Sequence, residues 1–184
     1  MKITEGNSAI DFTAEDIYGK EIKLSDFKGR KIVLSFLRNV SCPFCNVRVH
    51  RLMGNSVKFL RSGIQMILIF ESSADKLRSS VLHQGISPIP VIGDPEKVFY
   101  KKYGVENSIV KMMKTFFQAD IKGTMNTAKT LDTPKEKDKD GSMTLIPADF
   151  FIDENFKIVK AHYGKNLEDH VDIEELKKFA GIKN

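Results

Sequence analysis

The chain contains two cysteines, and they stand three apart as Cys42-Pro43-Phe44-Cys45. An apolar run from Lys31 to Leu37 precedes them and residues at helical spacing follow, so the motif falls between a buried strand and a helix. With Cys42 at the N-cap and Pro43 at the first helical position, the Cys42 sulfur meets unpaired backbone N–H groups and the positive end of the helix dipole. A free thiol ionises near ~8.5, whereas thiols in such settings range over roughly 3.5–7.5. Cys45, one turn further in, is placed to bond the same sulfur and close a small disulfide ring. The spacing predicts a dithiol/disulfide pair in which Cys42, nearer solvent and the helix end, attacks and Cys45 resolves. Arg38 and Arg48 are candidates to add favourable charge.

Two other chemistries compete for the same residues. A closed zinc site needs four ligands, and the sequence has no second cysteine pair. His50 lies five residues past Cys45, about 140° round an ideal helix, and His83, His162 and His170 are scattered. Cysteines this close cannot staple distant parts of the chain, so a structural disulfide framework is excluded. Redox chemistry is favoured over structural zinc and over inert packing cysteines.

The elements that must position the motif follow from periodicity. Residues Ala9–Ala14 and Glu21–Leu24 flank a turn at Tyr18-Gly19-Lys20 and read as a hairpin-like lead-in. Lys31–Leu37 and Ile64–Phe70 read as strands buried on both faces. A helix from Pro43 to Arg61, kinked or split at Gly54 and Asn55, lies between them. Ser72 and Ser73 cap a helix running to about Gln84, and the prolines of Ser87–Gly93 restrict that short strand to an edge or an entry position. Asp94-Pro95-Glu96 opens a helix to about Tyr103, and Ser108–Ile121 is a further amphipathic helix. Its Met112-Met113 and Phe116-Phe117 read as core in preference to a substrate groove. Lys122–Ser142 is polar and reads as a mobile, solvated loop. An antiparallel pair, Asp149–Ile152 and Lys157–Tyr163, then ends the sheet, and Asp172–Ala180 closes the chain as a helix. Asp169-His170 reads as loop in preference to a proton-transfer pair.

At 184 residues, 41% hydrophobic and 29% charged, the chain is expected to form one domain over 1–184, with 105–143 as an insertion carrying the charged loop. Wholesale disorder is excluded. The longest apolar runs are far shorter than the ~18 residues of a membrane span. The balance of 29 Lys+Arg against 24 Asp+Glu is interspersed, which gives nucleic-acid binding no support. The start MKITEGNSAI has no apolar stretch, so the expectation is a cytoplasmic protein without a cleaved signal.

Two blocks carry a family resemblance: AIDFTAEDIYGKEIKLSDFKGRKIVLSFLRNVSCPFC and IPADFFIDENFKIVKAHYG. The chain resembles the thioredoxin-like superfamily, and within it the peroxiredoxin-like AhpC/TSA (redoxin) branch, over about residues 8–180. The resemblance implies an α/β thioredoxin-like fold: a central mixed sheet flanked by helices, with an N-terminal hairpin extension and an inserted helix plus loop before the last strand pair.

The departures from that pattern bear on the chemistry. Ser35 and Asn39 stand where peroxiredoxins have Pro and Thr, and Ile146-Pro147 stands where they tend to have Arg. That proline resembles the thioredoxin one, usually cis and facing the motif, which implies that the exposed backbone of Ile146 pairs with an extended disulfide substrate. The buried carboxylate of thioredoxins is replaced by Ser35 or Phe36, so proton transfer to Cys45 must use another group or water. CPFC is also similar to the glutaredoxin CPYC, which leaves glutathione specificity open.

Three functions are carried forward. The first is a thiol-disulfide oxidoreductase cycling Cys42 and Cys45, with Pro43, Phe44, Ile146 and Pro147 in support. The second is a thiol peroxidase with Cys42 peroxidatic and Cys45 resolving, and the third is a non-catalytic redox-sensing or binding module. The implied partners are a protein or small-molecule disulfide, or a hydroperoxide, and a thiol donor such as the thioredoxin or glutathione system. No metal, organic cofactor, nucleic acid or membrane enters this reading.

Overall fold

The computed structural model describes residues 2–80, 89–118, 120–131, 138–139 and 141–182. A five-stranded mixed sheet in the order β5-β4-β3-β6-β7 organises them. Its centre is β3 (Ile32–Phe36), buried along its whole length, as an apolar run without alternation requires. β3 runs parallel to β4 (Gln65–Phe70) and antiparallel to β6 (Ala148–Ile152), in a register that sets Ser35 opposite Asp149. β5 (Val91–Gly93) pairs parallel with β4 at the edge, where the preceding prolines place it, and β7 (Ile158–Tyr163) pairs antiparallel with β6. β1 (Thr13–Glu15) and β2 (Glu21–Lys23) form a separate hairpin.

The two-residue period of β3 divides the core. Ile32, Leu34 and Phe36 pack with Ile69, Tyr100 and Phe150 on one face. Val33 and Leu37 pack on the other with Leu68, Phe151 and both cysteines. On the cysteine face lies α1 (Pro43–Met53), which ends at Gly54 and is followed by α2 (Ser56–Arg61). The last helix, α7 (Ile173–Phe179), is capped by Asp172, whose side chain accepts the Glu174 N–H at 2.7 Å.

Four expectations need correction. α3 (Ala74–Arg78), capped by the Ser73 hydroxyl, stops at Ser79, well short of Gln84; Ser87 and Pro88, like 81–86, lie outside the described residues. α4 (Val98–Lys102) starts later than Asp94-Pro95-Glu96 suggests, because Lys97 takes a left-handed φ of 57° and breaks the run. Asp94 still caps the start of the helix, its carboxylate accepting the Val98 and Phe99 N–H groups at 2.9 and 2.7 Å.

α5 (Ile109–Gln118) turns its apolar stripe outward: Met113 and Phe116 are more than half exposed and Phe117 is 85% exposed. Its buried side chain is instead Thr115, whose hydroxyl accepts the Leu167 N–H at 3.0 Å. The expected solvated loop is in part a helix, α6 (Ile121–Thr130), started by Asp120 accepting the Gly123 N–H and packed on α1. Thr124 anchors it by donating to Glu168 at 2.7 Å. Among the described residues no helix is long and apolar enough to cross a membrane.

Gly93 ends β5 against the loop after β4. A Cβ there would sit 2.7 Å from the Ser72 carbonyl oxygen and 2.8 Å from the Ala74 nitrogen, both main-chain atoms. Gly93→Ala is therefore expected to destabilise the fold by about 1–3 kcal/mol, read as a lowered urea midpoint; an unchanged midpoint would contradict this packing.

Candidate active site

The segment 37–42 links β3 to α1, and each of its turns is tied down. Val40 N–H donates to the Ser72 hydroxyl at 2.8 Å, and the buried Asn46 amide of α1 reaches back to the Val40 carbonyl at 3.0 Å. Cys42 is the N-cap of α1 (φ −75°, ψ 116°), Pro43 occupies the first turn, and Asn46 N–H closes the first helical bond to the Cys42 carbonyl. This is the geometry predicted from the motif.

Both cysteines are free thiols, and both are buried, Cys42 being 3% exposed and Cys45 0%. The expected difference in solvent access is thus nearly absent, and hydrogen bonding separates the two instead. Arg38 serves both sulfurs: its backbone N–H donates to Cys45 Sγ and its Nη1 to Cys42 Sγ, each at 3.2 Å. Its Nη2 donates to the carbonyls of Ser142 and Met143 at 3.0 and 2.9 Å, which fixes the guanidinium over Cys42.

Burial alone would push the Cys42 thiol up. The Cys45 side-chain hydrogen bond, then the Arg38 charge and the backbone N–H groups of Cys45 and Phe44, outweigh it and bring Cys42 from 9.0 down to about 6. Cys45 moves the other way: burial, and then the hydrogen bond and charge of Cys42, hold it well above the ordinary range. One sulfur is an acceptor and its neighbour the donor. Burial also opposes the Arg38 charge, but the two sulfurs and Glu71 more than offset it.

Behind Arg38 sits Glu71, fully buried at the end of β4. Its carboxylate accepts from the Asn39 amide at 3.2 Å and Ser142 N–H at 3.0 Å, and pairs with Lys97 at 3.2 Å. A second buried carboxylate, Asp149, faces the same side of the sheet as the cysteines. It accepts from the Ser35 hydroxyl (2.6 Å), the His170 Nδ1 (3.0 Å) and Val171 N–H (2.8 Å), with Arg48 Nη2 at 4.0 Å. Although burial alone would raise it, His170, Arg48 and Ser35 together hold Asp149 far below the usual carboxylate range.

The sequence candidates are thus sorted. Cys42, Cys45 and Arg38 come together. Phe44 packs against the core cluster that holds the cysteines, and Pro43 begins their helix. Arg48 does not reach the sulfurs; it turns to Asp149.

Ile146 corrects the resemblance. Its side chain is buried and its N–H already donates to the Glu106 carbonyl at 3.0 Å, beside a bridge between Asn107 and Leu145. The Glu106 carbonyl thus takes the Ile146 N–H that the resemblance assigned to an extended substrate. Pro147 is buried, and its carbonyl accepts the Gly164 N–H.

Asp169 and His170 diverge, Asp169 facing His162 and His170 facing Asp149. Glu71, Ser142 and the Asp149–His170 pair were missed; the signal for Asp149 was a single acid inside the apolar run 148–152. Among the described residues no group of three or more His, Cys, Asp or Glu side chains is placed to hold a metal ion.

Comparison with known proteins agrees with this arrangement. The AhpC/TSA family model matches residues 6–161. A Mycobacterium tuberculosis (strain H37Rv) protein assigned as a peroxiredoxin is 24% identical over 170 residues, covering 92% of this chain and 91% of the relative. Among solved structures, a variant of peroxiredoxin 6 from Arenicola marina is similar with TM-score 0.68 and 18% identity, covering 97% of this chain and 72% of the other. A Chlorobium tepidum protein assigned as the thiol:disulfide interchange protein DsbE gives TM-score 0.57 and 20% identity, covering 88% and 86%. At these identities the likeness shows the thioredoxin-like fold.

Two predictions follow from the geometry. The alkylation rate of the reduced protein should rise as pH passes about 6, where the thiolate forms, and Arg38→Met should move that midpoint up; an unmoved midpoint would remove Arg38 from the account. Asp149→Ala leaves the buried Arg48 and His170 without their shared partner and should cost about 3–5 kcal/mol in chemical denaturation, with a loss under ~1 kcal/mol speaking against the network.

Proposed function

The chain belongs to the AhpC/TSA family of thiol-based oxidoreductases, and from that premise we propose that it exchanges thiols and disulfides through Cys42 and Cys45. The observation that carries this reading is the placement of both sulfurs on Arg38, whose Nη1 donates to Cys42 Sγ and whose backbone N–H donates to Cys45 Sγ at 3.2 Å each, with Cys42 lowered to about 6 and Cys45 raised. At neutral pH the pair then holds a nucleophile and a proton donor side by side. The Cys42 thiolate attacks one sulfur of a substrate disulfide, forming a mixed disulfide while the other sulfur leaves with the electron pair of the broken bond. Once Cys42 is no longer anionic, the charge that held Cys45 protonated is gone. Cys45 gives its proton to the departing thiolate or to water, attacks Cys42, and releases the second substrate thiolate. The product is the Cys42–Cys45 disulfide, and an external thiol reverses the sequence.

Neither buried carboxylate has a hydrogen bond to either sulfur among the described contacts, which supports proton transfer to the leaving group or water over a fixed protein base. Support from Pro43 and Phe44 is geometric: the first sets the helix start under Cys42, and the second lends a backbone N–H to its sulfur.

A second reading, hydroperoxide reduction, is favoured by the Arg38 guanidinium lying on the Cys42 sulfur, where it would also meet an oxygen bonded to that sulfur. In that cycle the thiolate attacks the peroxide oxygen, the O–O bond breaks, and alkoxide or hydroxide leaves and takes up a proton. Cys45 then condenses with the sulfenic acid, releasing water, and a thiol donor reduces the disulfide. Ser35 and Asn39 at the positions expected to frame a peroxide weigh against this reading.

Rapid mixing separates the two. Reduced protein should oxidise with a small disulfide far faster than a free thiol does, and with hydrogen peroxide at only the free-thiol rate. Cys42→Ser should abolish turnover and Cys45→Ser should accumulate the mixed disulfide; full activity in Cys42→Ser would overturn the assignment.

A further inference from the structure

One cleft lies beside the motif without a part in the exchange chemistry. It opens between α1 and the segment before α7, has room for about 80 Å³ of solvent, and is lined by Phe44, Arg48, Arg51, Glu168, His170 and Asp172 among others. Phe44 belongs to the CPFC motif, so a molecule in this cleft lies next to one of the two residues between the cysteines.

Two of the lining side chains are buried with hydrogen-bonding atoms left over. Arg48 is 7% exposed, and its Nε and Nη2 have no hydrogen-bond partner among the described residues; Asp149 lies beyond hydrogen-bond distance at 4.0 Å. His170 spends Nδ1 on Asp149, and its buried Nε2, on the opposite edge of the ring, has no partner either. Orphaned polar groups of this kind are costly and point to an occupant. Because Asp149 only accepts, Nδ1 carries the shared proton and the ring edge that bears Nε2 faces away from Asp149.

The walls of the cleft differ in sign. α1 supplies two guanidinium groups, Arg48 and Arg51, and the facing segment supplies the carboxylates of Glu168 and Asp172. Glu168 is held in place by the Thr124 hydroxyl and Asp172 by its cap on α7. A simple anion would be drawn to one wall and repelled by the other, and a simple cation likewise. A ligand with both charges a few bonds apart satisfies both.

We propose that this cleft binds the zwitterionic α-amino-acid head group of a small thiol or disulfide, its carboxylate on Arg48 and Arg51 and its ammonium on Glu168 and Asp172. The inference rests on the exchange reading above and narrows its substrate class to low-molecular-weight thiols that carry a free amino-acid end. About 80 Å³ is room for such a head group in place of two or three waters at ~30 Å³ each, with its sulfur outside the cleft toward the motif.

The test uses redox-inert probes, so that binding is read separately from chemistry: S-methyl-L-cysteine, its desamino analogue methylthiopropionate, and its decarboxylated analogue methylthioethylamine, each titrated into the reduced protein by amide NMR. The amino acid should give saturable shifts at Phe44, Arg51, Glu168 and Val171, and each analogue should bind at least ~10-fold more weakly. Arg51→Gln, an exposed change, should weaken the amino acid about fivefold or more. Glu168→Gln keeps the bond to Thr124 and should weaken the amino acid but not methylthiopropionate. Equal binding of all three probes, binding of methylthiopropionate alone, shifts confined to other surfaces, or no shifts would each overturn the site. A protein that binds the amino acid in the cleft yet exchanges no disulfide would refute the function while leaving the site standing.

Discussion

A hydrogen bond between two sulfurs, with the proton on Cys45 and the charge on Cys42, is the interaction that the surrounding structure serves. A buried thiolate loses solvation worth several kcal/mol, so it persists only where donors are already aimed at it. Here they are the Cys45 thiol, the Arg38 guanidinium and the first N–H groups of α1. Arg38 is itself a buried charge that needs holding, and the carbonyls of Ser142 and Met143 and the charge of Glu71 do so. Glu71 in turn rests on Asn39, Ser142 and Lys97. The sequence of compensations ties the end of β4, the segment before α1, the start of α4 and the stretch at Ser142 and Met143 to one sulfur atom.

That dependence explains which parts of the molecule the amino-acid pattern revealed. The strands and the CPFC helix start were legible because hydrophobic period, proline position and N-cap chemistry are local properties. Arg38 was legible as a nearby charge, four residues from Cys42, but its contact depends on carbonyls more than a hundred residues away. The outward-facing stripe of α5 was misread because an amphipathic period says which residues share a face and not whether that face meets the core. Thr115, turned inward onto the Leu167 N–H, decided the orientation. α6 was hidden by polar composition, although Asp120 followed by Gly123 and Thr124 holds the cap and the anchor that make it a helix.

The family resemblance located the strand pair and the fold correctly and misjudged one contact. In this chain the Ile146 N–H is spent on the Glu106 carbonyl and is not free to pair with an extended substrate. The Asp149 network, formed on β6 directly opposite Ser35 of β3, places a buried carboxylate on the cysteine face without a bond to either sulfur. Its second role is to orient Arg48 and His170 at the cleft beside Phe44.

The most direct test of the central claim is a titration of ultraviolet thiolate absorbance in the fully reduced protein, which counts charged sulfurs as pH rises. Two separate steps are predicted, one thiolate forming with a midpoint near 6 and the second only above the ordinary range of a thiol. Two sulfurs ionising together near ~8.5, as free cysteines do, would contradict it.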